Sequence, residues 1–271
     1  MAEKAEDAGI AKAKMSFSKT LVLAILAGAF ISFGALFATT VTAESTLSFG
    51  FTKLIGGLSF SLGLILVIVG GAELFTGNNI IVMAWANKRI TTTQVLRNWA
   101  IVFLGNFIGA VSIAILMLLS RQYASGNGSI GAKALSIAET KCSLGFTQAI
   151  ILGILCNTLV CLAVWLCYSA KSTAGKILAI LFPITAFVAA GFEHSIANMY
   201  FVPKALLIKN SADSFFWDSI HSSPEMYGNL TWNNFLVNNI IPVTIGNIIG
   251  GAVMVGLVYW FVYLKGNRRK A

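Results

Sequence analysis

The chain has 271 residues, of which 57% are hydrophobic and 11% are charged. This composition lies outside that of soluble globular domains, and it predicts a protein whose surroundings are largely lipid. The formal net charge is +9, but the positive residues are distributed along the chain in a way that indicates membrane topology rather than nucleic-acid binding.

The first 19 residues are polar and precede the first apolar run. They carry both signs of charge and lack the apolar core and small cleavage-site residues of a signal peptide. Two interpretations stay open for residues 1–19: a short amphipathic segment, whose weakly apolar face would hold Ala5, Ala8, Ile10, Ala11 and Phe17, and a frayed tail.

Six apolar stretches follow, each long enough for the roughly 20 helical residues that cross a hydrocarbon core of about 30 Å. Because lipid offers no hydrogen-bond partner to a free backbone amide, each stretch is expected to be helical. The predicted fold class is therefore an all-α membrane protein with six transmembrane helices. The predicted segments are residues 20–42, 53–86, 98–119, 146–168, 176–206 and 235–264.

The domain organisation predicted is a cytoplasmic N-terminal segment (1–19), a six-helix transmembrane domain (20–264) and a basic tail (265–271). Of the 19 lysine and arginine residues, 13 lie in alternate connections and in the two terminal segments. The positive-inside rule then places both termini in the cytoplasm. The 13 residues are Lys4, Lys12, Lys14, Lys19, Lys88, Arg89, Arg97, Lys171, Lys176, Lys265, Arg268, Arg269 and Lys270.

The two halves of the chain carry matching motifs. Residues 71–78 (GAELFTGN) and 191–198 (GFEHSIAN) share the pattern G-x-E-x-x-x-x-N, and residues 98–109 and 239–250 share an Asn, a Gly-Asn pair and a Gly at matching positions. Each half holds three segments, an odd number, so the second copy must cross the membrane with opposite polarity. The sequence therefore predicts an inverted 3+3 repeat. The two copies are residues 20–120 and 146–264.

Segments two and five are predicted to be broken helices. Each begins with an apolar run, residues 54–70 and 177–190, and then meets a glycine, an acidic residue and further small or polar residues. Inverted-repeat transporters place the substrate site at such discontinuous helices. Ionisable groups at this depth cost roughly 2.5–3.5 kcal/mol each on insertion scales, so they are expected to face a protein-lined or watery interior.

Glu73 and Glu193 have two interpretations. In the structural one, they accept hydrogen bonds from amides freed by the helix break or from the buried Asn106 and Asn247. In the functional one, they relay protons. The Gly-Asn pairs that contain Asn106 and Asn247 are interpreted as sites of close helix packing and backbone capping.

His194 breaks the symmetry of the repeat, because its counterpart is Leu74. The unperturbed imidazole pKa of about 6.5 means that modest surroundings decide the charge of the ring. We predict a role in permeation, the alternative being a satisfied core histidine. The Thr76 hydroxyl would donate to a small oxyanion or orient the imidazole, or else bond to its own helix.

No enzyme signature is present. The chain lacks H-E-x-x-H and G-x-S-x-G, and Ser195 follows His194 directly, so the two side chains point about 100° apart on a helix and make a poor nucleophile and base. The four cysteines lack metal-ligand spacing and are interpreted as packing residues. No catalytic residue, metal site or cofactor is expected.

Five strings together resemble the formate/nitrite transporter family over nearly the whole chain, and within it the FocA-type formate channels. The G-x-E-H-S-I-A-N string in residues 191–198 identifies the family, and the match through residues 241–251 favours formate over nitrite. The strings are 61–66 (SLGLIL), 71–76 (GAELFT), 160–165 (VCLAVW), 187–198 (FVAAGFEHSIAN) and 241–251 (IPVTIGNIIGG).

The resemblance implies an aquaporin-like six-helix protomer in a homopentamer, with one pore in each subunit and formate as the permeant anion. It also implies residence in a bacterial inner membrane, in contact with lipid. The distribution of charge along the chain argues against a nucleic-acid partner. A central site of Thr76 and His194 is implied, with Asn247 close by, and a vestibule with Lys141 and Asn157. The implied constrictions are Leu64 and Phe60 on the periplasmic side and Leu74 and Phe187 on the cytoplasmic side, with Phe75 beside Thr76 on the broken stretch.

Two features depart from the family pattern and keep a second substrate class open. Glu73 stands where the formate channels have Asp, and residues 77–78 (Gly-Asn) replace other small polar residues. These features lean toward the nitrite and hydrosulfide members of the family. For any of these anions, two mechanisms stay open: His194 protonates the anion at the centre, or a positive centre and broken-helix dipoles let the anion cross as such.

Overall fold

The computed structural model describes residues 1–266, and within that range the regular elements are all helical. The end of the predicted basic tail, residues 267–271, lies outside the described residues. The helices are α1 (Ala2–Lys14), α2 (Phe17–Thr42), α3 (Phe49–Gly70), α4 (Phe75–Asn78), α5 (Val82–Ala86), α6 (Thr92–Leu119), α7 (Ser129–Cys142), α8 (Phe146–Cys167), α9 (Thr173–Ala189), α10 (Ser195–Ser211), α11 (Ser214–Ser219) and α12 (Trp232–Tyr263).

Among residues 1–266, five helices are long and apolar enough to cross a membrane: α2, α3, α6, α8 and α12. Helix α9 is apolar but shorter, with 17 residues. Many large apolar side chains stay exposed on these helices, Leu104 at 59% and Phe182 at 73% among them. Apolar surface on this scale requires a cover, and lipid supplies one.

Helices α3 and α9 end in the same way. The chain turns at Gly71 (φ +77°) and Gly191 (φ +75°), in the left-handed region that glycine adopts without strain. The next amide, that of Ala72, donates back to Val67 O at 2.9 Å, and that of Phe192 donates to Phe187 O at 3.0 Å. This closure satisfies carbonyls at the helix end. The chain then runs extended until α4 and α10 begin at Phe75 and Ser195.

Helix α6 begins at Thr92, ahead of the predicted start at residue 98. Thr91 Oγ1 accepts from the amide of Gln94, and the Gln94 side chain accepts from the amide of Thr91. This capping box starts the helix in a polar stretch that hydropathy alone does not assign to a helix.

Helix α7 was not predicted, and it lies in the connection between the third and fourth segments.

The N-terminus is helical over Ala2–Lys14 and is not a frayed tail there, but it buries a different face from the predicted one. Ala5, Gly9 and Ala13 of α1 are buried on one face, and a Cβ on Gly9 would lie 3.3 Å from Ala84 Cβ of α5. Small residues at i, i+4 and i+8 let α1 pack closely on α5.

Close packing of α2 on α6 positions Asn106 of α6. A Cβ on Gly105 of α6 would lie 2.5 Å from the Ala24 Cβ of α2, so only glycine fits. In the second half of the chain, α8 packs on α12 in the matching way, with Gly246 against the backbone of Ile150.

Candidate functional site

The two helix breaks meet at the centre of the protein. Thr76, in the first turn of α4, and His194, which precedes α10, are both buried, and Thr76 Oγ1 lies 2.9 Å from His194 Nε2. Helices α4 and α10 therefore begin at the same point, where the partial positive charges of their amino ends add.

The other ring nitrogen of His194 caps α10. The backbone amide of Ala197 donates to His194 Nδ1 at 3.0 Å. Because Nδ1 accepts this bond, the proton of the neutral ring lies on Nε2, which donates to the Thr76 hydroxyl oxygen. The hydroxyl hydrogen of Thr76 is then available to donate to a bound anion.

A buried asparagine holds the extended strand of each break. Asn106 of α6 accepts from the amide of Phe75 (2.9 Å) and donates to the carbonyls of Glu73 (2.9 Å) and Ala24 (2.7 Å). One side chain thus satisfies backbone groups that the break would leave without partners. Asn247 of α12 makes the matching contacts with the Ser195 amide (2.9 Å) and with the carbonyls of Glu193 (2.9 Å) and Gly153 (2.9 Å).

The carboxylates of the two breaks are paired with lysines. Glu73 bonds Lys12 Nζ at 2.5 Å through Oε1 and accepts from Asn78 Nδ2 at 2.7 Å through Oε2. Pairing and hydrogen bonding of this kind offset the cost of burying a carboxylate. In the second half, Lys141 Nζ lies 2.7 Å from Glu193 Oε1, and Asn198 Nδ2 lies 2.6 Å from Glu193 Oε2.

Lys12 is the site residue that the sequence analysis missed. It matches Lys141 in contact and in spacing, because each lysine lies five residues before the first residue of a long helix, Phe17 or Phe146. Helix α1 is thus the counterpart of α7. The common spacing is visible in the sequence once α7 is known to be a helix.

A pocket of about 390 Å³, here called the α7 pocket, leads to His194. Its wall includes Lys141 of α7, and the Phe60 and Phe187 rings meet edge to face there with centroids 5.6 Å apart. The Phe187 ring also stacks on the imidazole of His194, at 5.9 Å. The pocket therefore joins a charged opening to the central site past two aromatic rings.

The structure places Phe187 on the same side as Phe60, which differs from the opposite constrictions that the family resemblance implied. The reason is that α9 continues past Phe187 to Ala189, and the chain turns at Gly191, within the wall of the α7 pocket. Leu64 and Leu74 are buried in the core. The Phe75 ring packs against Phe103 at 5.0 Å.

Asn157 also differs from its implied position, since it is fully buried behind Thr76 rather than in the α7 pocket. Its Nδ2 lies within 3.2 Å of Thr76 O, 2.8 Å of Asn79 Oδ1 and 2.7 Å of Asn247 O. The thiol of Cys161 donates to Thr76 O at 3.3 Å. Asn157 therefore joins the two halves of the chain and sets the orientation of the Thr76 backbone.

Several characterised transport proteins are similar to this chain. The formate channel FocA of Escherichia coli K12 is 48% identical over 98% of this chain and 94% of its own length. The FocA channel of Haemophilus influenzae is 42% identical over 93% of this chain and 89% of its own length. The formate channel BtFdhC of Bacillus thuringiensis is 37% identical over 98% and 95%. These relatives are channels, not enzymes.

Solved structures share the fold. A structure described as "Pentameric formate channel with formate bound" superposes with a TM-score of 0.85 and 42% identity, covering 92% of this chain and 98% of that one. An "FNT family ion channel" gives a TM-score of 0.82 at 28% identity, covering 96% and 98%. The sequence model named "Formate/nitrite transporter" matches residues 1–261. The resemblance seen in the sequence is confirmed, and the chain is a membrane protein that belongs to the formate/nitrite transporter family.

Proposed function

We propose that the protein conducts formate across a bacterial inner membrane, through one pore in each subunit of a homopentamer. The observation that carries this proposal is the 2.9 Å contact between Thr76 and His194 at the end of a pocket whose wall holds Lys141. The formate channels named above, similar over nearly their whole length, support the choice of anion.

The topology that goes with this function has six spans and an aquaporin-like inverted repeat. Helices α3 to α5 form the second span, α9 and α10 form the fifth, and both termini lie in the cytoplasm. The matching contacts of Asn106 and Asn247, and of Lys12 and Lys141, support the repeat. Because Lys12 of α1 bonds Glu73, the N-terminal segment belongs to the channel domain rather than to a separate tail.

The path of the anion follows from the charges and apolar surfaces along it. Lys141 attracts a monovalent anion over about one Debye length, roughly 8 Å at physiological salt. Formate is ionised at neutral pH, so its passage past Phe60 and Phe187 costs desolvation energy. At the centre, the Thr76 hydroxyl and the amino ends of α4 and α10 offset that cost.

Helix capping by His194 favours one of two mechanisms, in which the ring either protonates the anion or stays neutral while the anion crosses. An imidazolium that protonates the anion needs a proton on Nδ1, and that nitrogen accepts from the Ala197 amide at 3.0 Å. This contact supports a neutral ring that donates a hydrogen bond from Nε2 to Thr76. A proton that crosses with the anion then comes from the solution.

Competing uptake into liposomes tests the function, with formate, nitrite and hydrosulfide offered together and internal pH read by a trapped dye. Preferential formate flux is expected. Formate flux with matching proton movement indicates coupled transport, and flux without a pH change indicates conduction of the anion.

Nitrite or hydrosulfide is the second candidate, favoured by Glu73 and by Gly77-Asn78. The Glu73 carboxylate accepts from Asn78, just as Glu193 accepts from Asn198. These residues therefore form a bonded pair beside the break. Preferential nitrite or hydrosulfide flux in the same assay would keep the pore and overturn the choice of formate.

A further inference from the structure

On the wall of the α7 pocket, positively charged side chains outnumber negatively charged ones. Three lysines line it, Lys53, Lys133 and Lys141, and Glu193 is the one carboxylate among the lining residues that the structure describes. Glu193 is already bonded to Lys141 at 2.7 Å. Two ammonium groups remain without a countercharge on the pocket wall.

Lys53 and Lys133 come from different helices and face the same space. Lys53 lies near the start of α3, where its Nζ is 5.6 Å from the centroid of the Phe49 ring, and Lys133 lies in the first half of α7. Both are half-buried, so their charges are less screened than those of fully exposed lysines. Within residues 1–266, neither forms an ion pair with a carboxylate.

A pocket at the other end of the protein lacks this imbalance. It has a volume of about 410 Å³ and is lined by Glu3, Glu6, Arg89 and the amino terminus at Met1, so its formal charges cancel. Of these two pockets, the α7 pocket is the one with excess positive charge among the residues that the structure describes.

We propose that Lys53 and Lys133 form an anion-capture site in the α7 pocket, separate from the central Thr76–His194 site. The proposal extends the proposed function, because capture raises the local concentration of the anion that the pore conducts. Two ammonium groups favour a divalent oxyanion over a monovalent one. Sulfate should therefore bind there and compete with formate for the site. It should not permeate, because a dianion is too costly to desolvate past Phe60 and Phe187.

Flux measurements in vesicles of both orientations test the site. In the wild-type protein, impermeant sulfate on the α7 side should raise the KM for formate and leave the maximal rate unchanged, and sulfate on the other side should have little effect. K53Q/K133Q should raise KM about 3–10-fold in low salt and abolish the effect of sulfate. The matched control K171Q/K176Q removes the same charge from residues outside the α7 pocket and should behave as the wild type.

A binding measurement separates this inference from the choice of permeant anion. Sulfate should slow the labelling of Lys53 and Lys133 by an amine-reactive reagent, read by mass spectrometry on purified protein, and leave Lys171 unaffected. Protection without formate flux would support the site and overturn the formate proposal. Unprotected lysines, or an unchanged KM in K53Q/K133Q, would overturn the site.

Discussion

His194 bonds Thr76 through one ring nitrogen and caps its own helix through the other. The two contacts, 2.9 Å from Nε2 to Thr76 Oγ1 and 3.0 Å from the Ala197 amide to Nδ1, join the start of α4 to the start of α10. The same ring therefore serves the fold and the proposed pore. A variant that removes both contacts cannot distinguish a loss of stability from a loss of transport.

Replacing His194 with Asn separates the two roles. Asn is a good N-cap and can accept from the Ala197 amide, whereas Ala cannot, so H194A should lose about 1 kcal/mol of stability more than H194N. Both variants also lack the ring N–H that donates to Thr76. We expect both to lower formate flux across about pH 5 to 8, because a neutral ring acts by positioning the Thr76 hydroxyl and not by exchanging its own proton. Unchanged flux in H194N would contradict a permeation role for the imidazole.

Removing the Thr76 hydroxyl should lower transport. T76V keeps the shape of the side chain but can neither accept from His194 Nε2 nor donate to an anion. The loss of one such hydrogen bond is worth about 0.5–1.5 kcal/mol, which corresponds to a 2- to 10-fold lower flux. T76S restores the hydroxyl and should recover most of the rate. Equal flux through T76V and T76S would mean that the hydroxyl bonds only to protein.

The two lysine–glutamate pairs, each a buried carboxylate with a half-buried lysine, should show strong coupling in double-mutant cycles. E193Q leaves Lys141 without a countercharge, and its cost should stay below the roughly 3–5 kcal/mol of breaking a fully buried pair. K141Q/E193Q should cost less than the sum of the single variants. The cycle on Lys12 and Glu73 should give the same sign. The free energy of unfolding of each variant is measured by denaturation in SDS.

The exposed pair of Arg121 and Asp213 is the control for these cycles. It should show weaker coupling, because solvent screens it. If this pair coupled as strongly as the buried pairs, burial would not be the cause.

Gly105 should tolerate no side chain. A Cβ there would lie 2.5 Å from Ala24 Cβ, so α6 would have to move away from α2, and overpacking of this kind costs about 1–3 kcal/mol. G50A is the control, because a Cβ on Gly50 would meet nothing within 4 Å. A thermal unfolding temperature equal in G105A and the wild type would show that α6 can shift freely.

Asp213 should stabilise the α10–α11 connection in a pH-dependent way. The amide of Phe216 and the Arg121 guanidinium lower the pKa of its carboxyl group below the ordinary value of 3.8. A lowered pKa adds stability above the unfolded value, and that stability is lost as pH falls through the folded value. D213N should therefore unfold at a lower temperature than the wild type between about pH 5 and 8. The difference should narrow below about pH 4, and a constant difference would contradict the charge effect.

Most of the site could be predicted because an internal repeat marks it. Glu73 and Glu193, and Asn106 and Asn247, occur at matching positions in both halves, and the structure gives each pair the same backbone contacts. His194 was identified as the exception to the repeat. A side chain that breaks a repeated pattern is informative in a single sequence.

Hydropathy could not predict the remaining features, which are helix α7, the role of Lys12 and the positions of Phe187 and Asn157. Helix α7 is only weakly apolar, so no period predicted it, and the match of Lys12 to Lys141 stayed hidden with it. The positions of Phe187 and Asn157 depend on where each helix ends and which face turns inward. Those two properties are decided by Gly191 and by packing against α12.

The two lysine–glutamate pairs also bear on how the chain enters a membrane as it is made. Lys12 and Glu73 belong to the first half, and Lys141 and Glu193 to the second. Each half therefore brings its own countercharge, and the first half can be neutralised before the second is synthesised. The contacts that later join the halves at the centre, Thr76 with His194 and Asn79 with Asn157, involve no formal charge. Neither Glu73 nor Glu193 therefore has to remain as an unpaired carboxylate in lipid until the other half is inserted.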